Sequence, residues 1–219
     1  MAAERKNYEQ RSYYFDIQTR DDDNEGIVIL SGRPIVYNSR TDLGLFDEII
    51  EQGALDGADL TDVRFLVNHD TSKIPLARSR RNNGNSTMQF SVDQEGMNID
   101  WVKLDTKNND QARALASAVK RGDVTGMSFM FILDEDGYEW QNLDTDHPTR
   151  VIKRITSVIE VSAVTFPAYD ATSIEVNQRN QQALESARAA LESARMRRDK
   201  PLDSELELLK EKTRILCGM

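Results

Sequence analysis

A single clear helix stands among many strand-forming segments between residues 26 and 166. The segment NNDQARALASAVKRGDV (108–124) offers Asn108 or Asn109 as a cap and Gly122 as a stop. Its apolar residues fall on one helical face: Ala112, Leu115, Ala116 and Val119. Parallel sheets need a crossover connection, usually a helix, between strands. One helix therefore disfavours a βαβ sheet, and we expect a β-rich α+β fold with a closed or partly closed barrel.

The strand-forming segments either alternate apolar and polar residues or form short apolar runs. They are GIVILSGRPIV (26–36), LFDEII (45–50), VRFLV (63–67), STMQFSV (86–92), GMNIDWVKL (96–104), VTGMSFMFI (124–132) and RVIKRITSVIEVSAVTF (150–166). DQEG joins the fourth and fifth segments, which predicts a hairpin. The last segment is long enough for one bent strand or two consecutive strands. GALDGADL, between the second and third, predicts a short helix or a turn.

The C-terminal part of the chain differs in charge and periodicity. Residues 178–219 carry nine Lys/Arg and seven Asp/Glu, whereas the preceding residues carry 19 and 30. ALESARA is followed at once by ALESARM (183–196), which predicts an amphipathic helix. Two heptads are too few for a strong coiled coil, so this helix either lies on its own domain or self-associates weakly. We therefore divide the chain into an extension (1–25), a core domain (26–177) and a helical tail (178–219).

Composition excludes several classes of function. A net charge of −9 disfavours a nucleic-acid binder. No apolar run reaches about 18 residues, so no membrane span is expected, and the N-terminus lacks the apolar core of a secretory signal. Cys217 is the single cysteine, which is typical of a reducing cytoplasm. With two histidines and no CxxC or HExxH spacing, we expect neither a metal site nor a cofactor.

Ser128 lies inside the apolar run VTGMSFMFI, and a serine nucleophile there would need a base. His69 directly follows a strand-like run, whereas His147 lies among loop-forming residues. Glu160 is a carboxylate within an apolar segment, and a buried carboxylate is costly unless it is paired. Taken singly, these residues leave other interpretations open: Ser128 as a polar filler, His69 as a turn residue, and Glu160 as a solvent-facing side chain.

Three motifs, NHD (68–70), GMSF (126–129) and EVSAVTFPAY (160–169), resemble in sequence and order those of prohead serine proteases from HK97-type tailed bacteriophages. That family is related to the herpesvirus assemblin proteases, and the resemblance covers roughly residues 26–177. It implies a catalytic triad in which Ser128 is the nucleophile, His69 the base and Glu160 the acid that orients the histidine.

The resemblance also implies where an oxyanion hole would lie. In assemblins the backbone donors follow the third triad residue, which here is the loop FPAYD. Pro167 has no N–H group, so Ala168 or Tyr169 would be the donor. Assemblins use a second histidine as third member, but His147 lies outside the matching strand and ranks below Glu160.

By this resemblance the fold is a closed seven-stranded barrel with surrounding helices, like that of the herpesvirus proteases. The function is a serine endopeptidase that acts inside the assembling procapsid in the host cytoplasm. Its expected partner is the major capsid protein, from which it would cleave the scaffolding segment, and it would also cleave itself. The helical tail would contact the scaffold or be cleaved, and residues 183–196 would support any self-association. The alternative is a non-catalytic scaffolding component that retains the protease fold.

Overall fold

The computed structural model describes residues 8–14, 17–21, 26–165 and 178–198. These residues form thirteen strands and two helices. The strands are β1 (Tyr8–Tyr14), β2 (Gln18–Asp21), β3 (Ile27–Val36), β4 (Arg40–Asp42), β5 (Asp47–Ile50), β6 (Asp62–Val67), β7 (Ala77–Arg80), β8 (Met88–Asp93), β9 (Gly96–Asp105), β10 (Gly126–Ile132), β11 (Tyr138–Gln141), β12 (Thr149–Ile152) and β13 (Ser157–Val164). The helices are α1 (Asp110–Arg121) and α2 (Gln178–Arg198).

The strands are arranged in three sheets, with orders β1-β10-β13-β6-β7, β11-β12-β5-β4 and β2-β3-β9-β8. Most neighbours are antiparallel, but β13 pairs with β6 and β12 pairs with β5 in parallel. The first sheet places β10, β13 and β6 side by side, and these strands carry or precede the predicted site residues.

The expected closed seven-stranded barrel is wrong, because none of the three sheets closes on itself. The part of the chain that is described also has two helices rather than a surrounding shell of them. Apolar patterning shows which face of a strand is buried, but not which strand lies beside it. All seven residues of β10 are buried. A strand buried on both faces is typical of stacked layers.

The local predictions for α1 and the central hairpin are confirmed. The side chain of Asn109 accepts from the backbone N–H groups of Gln111 and Ala112, and Gly122 ends α1 in the left-handed conformation with φ 78°. The four residues of the apolar stripe are all buried. β8 and β9 form the predicted hairpin, and a Cβ on Gly96, the first residue of β9, would lie 2.0 Å from the Ile35 carbonyl oxygen. Only glycine fits that close approach.

Other segments resolve the alternatives that the sequence left open. The 150–166 segment forms two consecutive strands, β12 and β13, which belong to different sheets. GALDGADL forms turns rather than a helix. Residues 1–25 contain β1 and β2, which pair with β10 and β3 respectively.

The main core is shared by all three sheets and α1, with Ile50 and Ile152 as the buried contribution of the second sheet. A smaller cluster joins Leu191 of α2 to Phe46, with Trp140 and two leucines packed around them. The guanidinium of Arg195 also donates to the carbonyl oxygen of Thr145 at 2.9 Å. The second heptad of α2 therefore lies on the domain itself. Neither helix in the described residues is long and apolar enough to cross a membrane.

Candidate active site

Three neighbouring strands of the first sheet carry Ser128, Glu160 and His69. Ser128 is the third residue of β10, and its backbone pairs with Ser162 on β13. Glu160 lies on β13, two residues before Ser162. His69 follows the end of β6, which runs parallel to β13. The sheet therefore brings together three residues that are up to 91 positions apart in the chain.

The three side chains form one hydrogen-bonded series, which we call the Ser–His–Glu chain. The Ser128 Oγ and the His69 Nε2 are 2.5 Å apart. The His69 Nδ1 contacts the Glu160 Oε1 on the other side of the ring. Ser128 is fully buried, and His69 and Glu160 are 7% and 1% exposed. Glu160 therefore has the partner that its burial requires.

In the NHD motif an uncommon backbone conformation brings the His69 ring into contact with Ser128 on the sheet. Asn68 and His69 both have positive φ, 50° and 57°, a conformation that costs energy in residues other than glycine. The Asn68 N–H donates to the Ala163 carbonyl at 2.9 Å, and the Asn68 Oδ1 accepts from the Thr165 N–H at 2.9 Å. These bonds to the end of β13 hold the turn in place.

Ser162 contacts two members of the Ser–His–Glu chain. Its Oγ accepts from the His69 backbone N–H at 3.1 Å and donates to the Glu160 Oε2 at 2.5 Å. Ser162 is fully buried. Ser162 was not predicted as a site residue, because a serine in a strand is usually structural. The signal that could have indicated it is its position two residues after the Glu160 carboxylate, on the same face of the strand.

The N-terminal strand β1 also reaches the site. It pairs with β10 in a register that sets Ser12 opposite Ser128. The Ser128 Oγ lies 2.8 Å from the Arg11 carbonyl oxygen. The hydroxyl thus has two acceptors for its single proton, the His69 Nε2 and the Arg11 carbonyl.

The Arg11 side chain points away from Ser128 into a second polar group, which we call the charged cluster: Glu9, Arg11, Glu48 and Arg150, all 4% exposed or less. Arg150 binds Glu48 through its Nε at 2.7 Å and Glu9 through its Nη1 at 3.0 Å. Arg11 binds both of these carboxylates as well. This cluster was not predicted from the sequence, because its strands are distant in the chain and its charged residues alternate with other residues as solvent-facing charges do.

Burial and ion pairing act in opposite directions in the charged cluster. Burial by itself would raise the pKa of Glu48, but Arg11 and Arg150 outweigh it and hold that pKa below its ordinary value. Burial likewise would lower the pKa of Arg150, but Glu48 and Glu9 keep it above its ordinary value. Both groups therefore stay charged near neutral pH.

His147 is not part of the Ser–His–Glu chain. Its Nε2 lies 3.1 Å from an oxygen of Asp47 and 3.5 Å from one of Asp42. These three side chains are a group that could hold a metal ion, but Asp47 is also bound by Arg40 at 2.6 Å. No metal site was expected from the sequence, since it has two histidines and no CxxC or HExxH spacing. The predicted oxyanion donors, Ala168 and Tyr169, lie outside the described residues.

Residues 15–187 match the family of caudovirus prohead serine proteases, Peptidase_S78. The match covers most of the chain, so the protein belongs to this family. It is therefore a bacteriophage protease of capsid maturation. Among solved structures, the capsid assembly protease of bacteriophage T4 is similar over 73% of this chain and 99% of its own, with 10% sequence identity and a TM-score of 0.37. No curated protein matches the chain.

Proposed function

We propose that the protein is a serine endopeptidase in which Ser128 is the nucleophile, His69 the general base and Glu160 the acid that orients His69. The observation that supports this proposal is the unbroken series of contacts from the Ser128 Oγ through both nitrogens of His69 to Glu160. A nucleophile, a base within hydrogen-bonding reach and an orienting group behind that base are the parts that such catalysis needs.

The proposed reaction starts from neutral His69. Its Nδ1–H donates to Glu160, which leaves Nε2 free to accept the Ser128 proton. The Ser128 Oγ then attacks a peptide carbonyl carbon while His69 takes the proton. The imidazolium next gives that proton to the leaving amine, the C–N bond breaks, and an acyl-enzyme ester remains on Ser128. Water, activated by His69 in the same way, hydrolyses this ester and restores the serine.

Burial of the site supports this assignment energetically. When His69 takes the proton, a positive charge appears beside the Glu160 carboxylate, in surroundings with little water. Attraction between opposite charges is stronger in such surroundings than in water. For the oxyanion that forms on the substrate, we propose the backbone N–H of Ala168 or Tyr169 as donor. Removing one such donor typically costs about 10²–10³-fold in rate.

The substrates that we propose are the scaffolding segment of the major capsid protein and the protease itself. The motifs NHD, GMSF and EVSAVTFPAY support placing the chain in the HK97-type branch, related to the herpesvirus assemblins. We propose that cleavage occurs in the host cytoplasm, inside the assembling procapsid. Residues 26–177 would form the protease domain behind the extension 1–25, and the helical tail (178–219) would contact the scaffold or be cleaved.

The deciding experiment compares the wild-type chain with Ser128→Ala, each incubated with the capsid protein of the same phage and followed by intact-mass spectrometry. We expect the wild type to shorten the capsid protein or its own chain, and the variant to leave both intact. Ser79→Ala is a matched control, because Ser79 is also fully buried in the first sheet but lies on β7. If neither the wild type nor Ser128→Ala cleaves the capsid protein or its own chain, the non-catalytic scaffold is the better description.

A further inference from the structure

Ser162 occupies a position that connects both ends of the His69–Glu160 pair. It is fully buried and lies opposite Ser128 on one side and Leu66 on the other. Since side chains alternate along a strand, Ser162 shares the face of β13 that carries Glu160.

The chemistry of the groups fixes the direction of both hydrogen bonds of Ser162. An ionised carboxylate only accepts, so the single hydroxyl proton of Ser162 goes to the Glu160 Oε2, 2.5 Å away. A backbone N–H only donates, so the His69 N–H at 3.1 Å uses a lone pair of the same oxygen. One hydroxyl thus satisfies both a buried carboxylate oxygen and a buried amide.

Each of these two bonds restricts a different movement of the Ser–His–Glu chain. The bond to the Oε2 holds the carboxyl group of Glu160 in the orientation that turns the Oε1 towards the His69 ring. The bond from the His69 N–H supports a residue with φ 57°, a conformation that persists only when its surroundings hold it.

We propose that Ser162 is a positioning residue of this protease: it keeps the Glu160 carboxylate and the His69 backbone in the geometry in which His69 can take the Ser128 proton. The proposal rests on the proposed function of the Ser–His–Glu chain. It differs from the ordinary role of a buried strand serine, which is to satisfy nearby backbone. Ser79 shows that ordinary role, because its Oγ accepts from the backbone N–H of Asn82 in the adjacent turn.

The test compares Ser162→Ala, Ser162→Thr and Ser79→Ala in the full-length protein, with a fluorophosphonate as probe. This reagent phosphonylates an activated serine: an O–P bond forms at the Ser128 Oγ, fluoride leaves, and the proton passes to His69. For Ser162→Ala we expect the maximal labelling rate to fall by about 10- to 100-fold, which corresponds to losing a hydrogen bond to a charged group. We expect the reagent concentration that gives half the maximal rate to change little, because the Ser162 hydroxyl is engaged by His69 and Glu160. Ser162→Thr keeps the hydroxyl and restores most of the rate.

A second measurement needs neither substrate nor reaction. The proton shared by a histidine ring and a carboxylate gives a far-downfield NMR signal, and ¹⁵N-histidine labelling shows that it belongs to a histidine. The same spectrum of His147→Gln assigns the signal to His69, because His147 also lies beside a carboxylate, 3.1 Å from an oxygen of Asp47. We expect this signal in the wild type, Ser162→Thr and Ser79→Ala, and its displacement or loss in Ser162→Ala. Circular dichroism confirms that each variant is folded.

The outcomes separate this inference from the proposed function. A folded Ser162→Ala with wild-type labelling rate and an unchanged downfield signal overturns the positioning role, whatever Ser128 does. Loss of function in Ser162→Ala that Ser162→Thr does not restore assigns the effect to packing and also overturns it. If Ser128→Ala is labelled as fast as the wild type, the proposed nucleophile is wrong, while the NMR signal still reports on Ser162.

Discussion

The charged cluster and the Ser–His–Glu chain are two buried polar groups in one small domain, and they differ in how their charges are balanced. The charged cluster contains two guanidinium groups and two carboxylates, and each guanidinium binds both carboxylates. The Ser–His–Glu chain has one carboxylate and no permanent cation. Its balancing positive charge appears only when His69 takes a proton.

This difference fits a structural role for the charged cluster and the proposed catalytic role for the Ser–His–Glu chain. In the charged cluster the ion pairs hold the pKa of Glu48 below and that of Arg150 above its ordinary value, so both stay charged near neutral pH. The cluster thereby joins β1 of the first sheet to β5 and β12 of the second. Such buried clusters often specify which elements pack together and add little net stability to the fold. In the proposed mechanism, the unbalanced charge of Glu160 favours transfer of the Ser128 proton to His69. Arg11 belongs to both regions, since its side chain lies in the cluster and its carbonyl oxygen contacts Ser128.

The largest expected effect comes from removing the charge of Glu160. An amide at this position can donate to the His69 Nδ1, which favours the tautomer that cannot accept the Ser128 proton. For Glu160→Gln we expect activity to fall by about 10⁴-fold, the usual cost of such a change in a catalytic triad. Fluorophosphonate labelling measures the rate, and thermal unfolding should show a far smaller effect. A variant that keeps more than a tenth of the wild-type rate would remove Glu160 from the mechanism.

The opposite pattern is expected for Arg150, which is fully buried in the charged cluster. Arg150→Met leaves Glu9 and Glu48 with Arg11 as their remaining partner in the cluster. Removing one member of a buried ion pair typically costs about 3–5 kcal/mol of folding free energy. Urea unfolding measures this loss, and the labelling rate of the folded variant should stay within a few-fold of the wild type. A loss of folding free energy below about 1 kcal/mol would mean that water or repacking compensates for the missing Arg150 guanidinium.

A smaller effect follows from the pH dependence of stability. The pKa of Glu48 is lower in the folded chain than its ordinary value of 4.5. Folding therefore releases a proton from Glu48 at acid pH, and the stability it contributes is complete above this ordinary value and is lost as the pH falls below it. Urea midpoints measured from pH 7 down to pH 3 should fall more steeply for the wild type than for Glu48→Gln. Parallel curves would show that other carboxylates account for the acid sensitivity.

The two regions also differ in how well the sequence predicts them. Glu160 could be noticed because a carboxylate interrupts an apolar strand, and His69 because it follows one. Glu9 and Arg11 alternate with other residues in a polar segment, which local pattern alone interprets as solvent-exposed. Their burial depends on β1 pairing with β10 and packing near β5 and β12, which is information that no local window contains.

The same distinction holds for the fold. Helix α1 could be predicted with its cap at Asn108 or Asn109 and its end at Gly122, and the β8–β9 hairpin could be predicted with its turn. Both are specified by residues that are neighbours in the sequence. The order of strands in the sheets was not predictable, since strand pairing is decided by packing between distant segments, and the expected barrel closure was wrong for that reason. Ser162 lies between these cases: its type and spacing were visible, but its two contacts depend on the turn at His69.

The smallest expected effect tests whether burial, rather than charge pairing, distinguishes the charged cluster. Arg33 binds Asp93 through two bonds of 2.7 Å, a geometry as good as any in the cluster. The Asp93 side chain is 45% exposed, however, and water can replace the lost partner. Exposed pairs contribute little to folding, so Arg33→Met should leave both the urea midpoint and the labelling rate unchanged. If Arg33→Met destabilised the protein as much as Arg150→Met, pairing geometry would matter more than burial, and the separation between the two regions would need another explanation.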